Sequence, residues 1–168
     1  MSIRACRDGD RMAVLGVVNA AAEAYRGVIP PDCWREPYMP PEELDAEIAA
    51  GVVFWGYEDD DGELVGVMGI QDVGDVELIR HAYVSPDAQR GGIGTALLEH
   101  LLARATKPIL VGTWLAAGWA IRFYERHGFE PVGPERTRDL LSTYWDIPDR
   151  QIETSVVLEL RRARAGGD

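Results

Sequence analysis

Gln89-Arg90-Gly91-Gly92-Ile93-Gly94 decides how this chain is read, because of the segments on either side of it. Before it, Val76-Glu77-Leu78-Ile79-Arg80-His81-Ala82-Tyr83-Val84 reads as a strand, stopped by Ser85-Pro86. After it, Thr95-Ala96-Leu97-Leu98-Glu99-His100-Leu101-Leu102 reads as a helix. A strand, a glycine-rich turn and a helix N-terminus together make an anion site. Unpaired backbone N–H groups and the positive end of the helix dipole converge there, and glycine lets a ligand approach the main chain closely. Such a loop suits a phosphate or pyrophosphate.

Spacing separates the candidate phosphate loops. A P-loop needs Gly-x-x-x-x-Gly-Lys-Ser/Thr, and no lysine follows Gly94. A dinucleotide fingerprint counted from Gly92 and Gly94 puts its third glycine position on Leu97. A glycine-rich turn with no ligand is the plain alternative. The spacing Val84-x-Pro86 followed by Gln89-x-x-Gly92-x-Gly94 resembles the coenzyme A pyrophosphate loop of the GNAT superfamily of N-acetyltransferases. Downstream, Ala120-Ile121-Arg122-Phe123-Tyr124-Glu125-Arg126-His127-Gly128-Phe129 resembles that family's later helix and turn, Ala-x-x-Phe-Tyr-x-x-x-Gly-Phe. The resemblance spans Val65 to Val132 well and the flanks in outline.

The chain of 168 residues has the size of one domain, and its 46% hydrophobic and 27% charged residues are those of an ordinary globule. No apolar run approaches a membrane span and the N-terminus lacks a signal peptide's apolar core, so a cytoplasmic location is expected. Cys6 and Cys33 form neither a metal-ligand spacing nor a disulfide framework. The net charge of −11 argues against nucleic acid, whose phosphates need a basic face, and weakly favours cationic substrates.

The coarse pattern predicts a first strand at Ile3 to Arg7, a helix from Asp10 to Tyr25 with Asp8 as N-cap, and a second helix from Pro41 to Gly51. A hairpin of Val52 to Tyr57 and Glu63 to Asp72 turns at Glu58-Asp59-Asp60-Asp61-Gly62. Ile93, Ala96, Leu97, His100 and Leu101 form an apolar stripe on the helix after the loop. Strands then follow at Ile109 to Trp114, at Phe129 to Val132 beyond the Tyr124 helix, and at Gln151 to Leu160. The order β-α-α-β-β-β-α-β-α-β-β predicts one α/β (α+β) domain over 1–160, with a mixed, mostly antiparallel sheet flanked by helices and a polar tail at 161–168. It resembles the GNAT fold, which implies acetyl-CoA in a gap between two splayed strands.

Acetyl transfer to an amine needs a held donor, a neutral nucleophile and a stabilised leaving thiolate. The resemblance implies that Ala82, Tyr83, Val84, Gln89, Arg90, Gly91, Gly92, Ile93, Gly94, Thr95 and Phe123 hold the coenzyme, and that Tyr124 sits beside its sulfur. A phenol of pKa about 10 protonates a thiolate whose conjugate acid has pKa about 8.5 only slightly uphill. A lysine-like amine is neutral about once in 2,500 molecules at pH 7, a cost of about 4.6 kcal/mol, so a base is useful. The family's glutamate position falls on Ile79, which cannot serve. Glu77 and His81 are its same-face neighbours, a bulge would turn one of them to the other face, and a water-mediated base elsewhere, or none, is the alternative. Ala117 stands where many family members carry asparagine. The resemblance places the acceptor site among the first two helices, their loop and the C-terminal strands, which makes Tyr25, Trp34, Tyr38, Trp114, Tyr144 and Trp145, with the cationic Arg26, candidate lining residues; packing or a homodimer contact is their other use.

The leading expectation is an acetyl-CoA-dependent N-acetyltransferase for a small-molecule or peptide amine, with direct attack in a ternary complex and no metal. A non-catalytic acyl-CoA sensor, a different acyl donor and an O-acceptor are the alternatives.

Overall fold

The computed structural model describes residues 1–161, so the expectation of a polar tail over 161–168 falls almost entirely outside the described residues. The seven strands are β1 (Ser2–Ala5), β2 (Val52–Glu58), β3 (Leu64–Val73), β4 (Val76–Val84), β5 (Ile109–Trp114), β6 (Phe129–Pro131) and β7 (Ser155–Leu160). The helices are α1 (Arg11–Ala22), α2 (Pro41–Ala49), α3 (Ile93–Arg104), α4 (Gly118–Arg126), α5 (Pro134–Tyr144) and α6 (Asp149–Glu153). They form one mixed sheet in the order β1-β2-β3-β4-β5-β7-β6. Every pairing is antiparallel except β4 with β5, which α3 links in a β-α-β crossover.

Sequence periodicity places the two faces of the sheet. On one face, Leu97, Leu98 and Leu101 of α3 and Tyr124 of α4 pack with Met68, Ile79, Val111 and Leu158. On the other, Val14, Leu15, Val17 and Val18 of α1 and Leu44 of α2 cover Val52, Phe54 and Val67. Leu141 of α5 and Ile152 of α6 cover Leu78, Leu110 and Val157 further along. Each fully buried aliphatic side chain contributes about 1.5–3 kcal/mol, so these three clusters hold the sheet between its helices.

Two helices depart from the predicted order. The sequence from Pro134 is polar, and only Thr137 and Leu141 of α5 are buried, a pair too sparse to show as an apolar stripe. Pro134 at its start nevertheless has the fixed φ of a first helical residue. The expected long last strand begins four residues late, because α6 takes Asp149–Glu153. Asp8 does not cap α1. Asp10 holds that corner, its carboxylate accepting the Arg7 N–H at 2.7 Å and binding Arg4.

The feature that positions the site lies in β4 and β5. They pair only from Glu77 opposite Ile109 to Ile79 opposite Val111, and then diverge. Beyond that point the β5-facing edge of β4 has no strand partner. There β4 also bulges against β3: Gly69 opposes Arg80 while Val67 opposes Tyr83, leaving one extra residue on β4. His81 takes up the surplus at φ 54°, a left-handed conformation that costs a non-glycine residue about 1–2 kcal/mol. Gly69 makes room for the bulge, since a Cβ there would lie 2.9 Å from the Arg80 carbonyl oxygen.

Candidate active site

The turn from Gln89 to Gly94 leads from β4 into α3. Its backbone is left-handed at Arg90, with φ 78°, and at Gly92, with φ 75°. The Gln89 side chain donates to the Val84 carbonyl oxygen at 3.2 Å and ties the turn to the end of the strand. The first N–H groups of α3 have no carbonyl one turn earlier to bind, and Gly92, the residue before the helix, has nothing within 4 Å of where a side chain would begin. Phe123 of α4 closes the other side: a Cβ on Gly94 would meet its ring at 3.5 Å.

This turn opens onto a cavity of about 660 Å³ that runs along the free edge of β4. Ala82, Tyr83, Val84, Gln89, Arg90, Gly94 and Phe123, all expected to hold the coenzyme, line it. Gly91, Gly92, Ile93 and Thr95 belong to the same turn and first helical turn without lining the cavity. Arg90 and Arg126 stand on the cavity wall, exposed, and neither pairs with a carboxylate among the described residues. In a chain of net charge −11, two unpaired guanidinium groups on the wall of a cavity that opens from a helix N-terminus favour an anion. Arg126 was not foreseen; its only signal was its place two residues after Tyr124.

Tyr124 forms part of the same wall and is 5% exposed. Its ring packs edge-on against Phe123 and Phe129, and among the described residues its hydroxyl has no hydrogen bond. Burial pushes the phenol well above its usual pKa. Tyr124 is therefore protonated throughout the neutral range.

Across Tyr83 from this cavity lies a second one of about 530 Å³, between the loop after α1, α2 and the segment before α6. Tyr83 lines both. Tyr38 and Trp114 line the second cavity and are joined by a hydrogen bond of 2.9 Å from the indole N–H to the phenol oxygen. A small pocket between the diverging strands adds Tyr25, so the rings of Tyr25, Tyr38 and Tyr83 meet at the junction. Burial raises all three phenols, Tyr25 to about 12, and their mutual proximity adds to the effect for Tyr25 and Tyr83. Trp34 stands one layer back, packed on Tyr38 at 5.7 Å and covered by the Arg26 guanidinium at 4.6 Å. Tyr144 is turned outward to Asp75, and Trp145 packs over Gly112.

The two base candidates part company. Glu77 lies at the paired end of β4, and its carboxylate accepts the N–H groups of Thr106 and Lys107 at 3.0 and 3.1 Å. It lines neither cavity, so its work is to fasten the α3–β5 turn. His81, turned by the bulge, lines the second cavity, stacks on Phe54 and places Nε2 3.2 Å from Glu47 Oε2. Arg80 contacts the same carboxylate at 3.1 Å. Burial acts to raise the Glu47 pKa, but His81 and Arg80 together hold it below the usual carboxylate value. Glu47 sits on the acid-rich surface of α2, and no local pattern in the sequence marked it. Among the described residues no group of side chains could hold a metal ion, and no helix is long and apolar enough to cross a membrane.

A glycine turn at a helix N-terminus, an apolar cleft and a buried phenol are the features that an acyltransferase with a phosphate-bearing donor would use. Comparison names the domain. Residues 50–131 match the model of the acetyltransferase (GNAT) domain, so the chain carries a GNAT acetyltransferase domain over that stretch. An acetyltransferase of the GNAT family from Staphylococcus aureus Mu50 superposes with a TM-score of 0.70 at 16% identity, over 95% of this chain and 99% of that one. The ribosomal-protein-S18-alanine N-acetyltransferase of Escherichia coli gives 0.69 at 19% identity, over 98% and 96%. The PaiA N-acetyltransferase of Thermoplasma acidophilum, solved with coenzyme A, gives 0.68 at 18% identity, over 96% and 100%. At these identities the likeness is one of fold. No curated protein matches the sequence significantly.

Proposed function

We propose that the chain transfers an acetyl group from acetyl-CoA to a primary amine that enters from the second cavity. The observation that carries this reading is the shared wall at Tyr83, where the donor and acceptor cavities meet beside the unpaired edge of β4. Acetyl-CoA supplies a thioester, which an amine can attack directly. Backbone N–H groups of Gln89 to Gly94, with Arg90 and Arg126, bind the pyrophosphate. Open backbone donors between Arg80 and Val84 polarise the thioester carbonyl; donors of this type contribute about 3 kcal/mol when measured by removal.

His81, oriented by the ionised Glu47, accepts the proton of the attacking amine directly or through water. Tyr124 donates a proton to the departing sulfur. Burial makes its phenol a weaker acid, but the same burial makes a thiolate a stronger base, so the transfer stays close to balanced. Among the described residues no cysteine lines the donor cavity, and Cys33 lines the second cavity together with Asp32 and Arg150. The test is a panel of small amines and peptide N-termini incubated with acetyl-CoA and read by thiol release. Thiol release that depends on the amine supports the reading. Binding of acetyl-CoA without release for any amine would favour a coenzyme-sensing role instead.

A further inference from the structure

We infer that the second cavity selects acceptors that carry a second positive charge and no carboxylate, so that a diamine or polyamine fits it better than an amino acid. The inference rests on the acetyl-transfer reading in one respect: the reacting amine must lie at the Tyr83 end, near His81.

The charges around the cavity are already paired in a particular way. Arg35 is held by Glu43 at 3.0 Å, Arg80 by Glu47 at 3.1 Å, and Arg150 by Asp32 at 2.9 Å. Each arginine that could receive a carboxylate is therefore engaged. The exception among the charged groups is Asp146, which is exposed on the cavity wall and makes no hydrogen bond or ion pair among the described residues. One uncompensated negative charge thus remains in a cavity that Tyr38 and Trp114 also line. A cation gains from both, through Coulomb attraction to Asp146 and through the faces of the rings. A carboxylate on the acceptor would find no free partner and would face Asp146 as a like charge. The chain's net charge of −11 steers cations in the same direction.

Three probes of equal length separate the alternatives: 1,5-diaminopentane, pentylamine and 5-aminopentanoate. Each is titrated calorimetrically into the protein saturated with coenzyme A, and each is assayed for thiol release with acetyl-CoA. The diamine is expected to bind about tenfold more tightly than pentylamine, with aminopentanoate weakest. Asp146→Asn should remove most of the diamine's advantage, and Asp146→Lys should make aminopentanoate a better ligand than the diamine. Equal or tighter binding of aminopentanoate to the wild type overturns the inference. So does a diamine preference that both Asp146 variants leave intact, or failure of all three probes to bind. Selective binding of the diamine without thiol release would uphold the cavity's selectivity and refute acetyl transfer to these amines.

Discussion

Replacing Tyr124 by phenylalanine removes one oxygen from the wall of the donor cavity and keeps every apolar contact of the ring. The ring is 5% exposed and lies 5.2 Å from Phe123 and 5.5 Å from Phe129, centroid to centroid. Its hydroxyl makes no hydrogen bond among the described residues, so the exchange leaves no donor or acceptor stranded. The stability cost should stay below about 1 kcal/mol, which in a chain of this size is a shift of no more than about 4 °C in melting temperature. The catalytic cost is of another order. A positioned general acid is worth about 10²–10⁴ in rate, or roughly 3–5 kcal/mol. Steady-state thiol release should therefore show kcat reduced at least 100-fold with the KM for acetyl-CoA nearly unchanged, while the melting curve hardly moves. Full turnover in Tyr124→Phe would refute the proton-donor role. A large fall in melting temperature would show that the hydroxyl is structural.

Three other variants test the same geometry. Gly92→Val forces a β-branched residue to φ 75° at the entrance of α3, and should weaken coenzyme A binding about tenfold or more by calorimetry; unchanged affinity would place the ligand away from this turn. Gly69→Ala drives a Cβ to 2.9 Å from the Arg80 carbonyl, and should destabilise the chain by about 1–3 kcal/mol in denaturant melts, with activity falling as the bulge shifts. Glu47→Gln should lower turnover about 10–100-fold, since His81 loses the group that orients it. Because the folded-state pKa of Glu47 is depressed, its contribution to stability is complete above the usual value near 4.5 and is lost as pH falls through the folded value. The melting difference between wild type and Glu47→Gln should accordingly be greatest near neutrality and close on acidification; a difference that grows in acid would contradict the assignment.

Periodic and punctuated segments were legible in the sequence. The α3 stripe, the strand Ile109–Trp114 and the turn signals around Gln89 to Gly94 each carry their own local cause, and the structure forms them where the pattern puts them. α5 was not legible, because two buried residues among eleven give no amphipathic period. The bulge at His81 is a tertiary feature: it depends on the space left by Gly69 on the neighbouring strand, so alternation along β4 alone set His81 on the same face as Ile79. Glu47 was invisible for a related reason. It lies 34 residues before His81, and only the packing of α2 against the sheet brings the two to 3.2 Å. Among the aromatic candidates, Tyr25, Tyr38 and Trp114 line the small pocket at the junction while Trp34 stacks behind Tyr38, a difference in depth that no local pattern in the sequence carries.

The most direct test of the account is a crystal structure of the protein with coenzyme A bound. The pyrophosphate should lie on the backbone N–H groups of Gln89 to Gly94, flanked by Arg90 and Arg126, and the sulfur should stop within hydrogen-bonding reach of the Tyr124 hydroxyl at the Tyr83 junction. A coenzyme bound outside the gap between β4 and β5, or a sulfur remote from Tyr124, would contradict it.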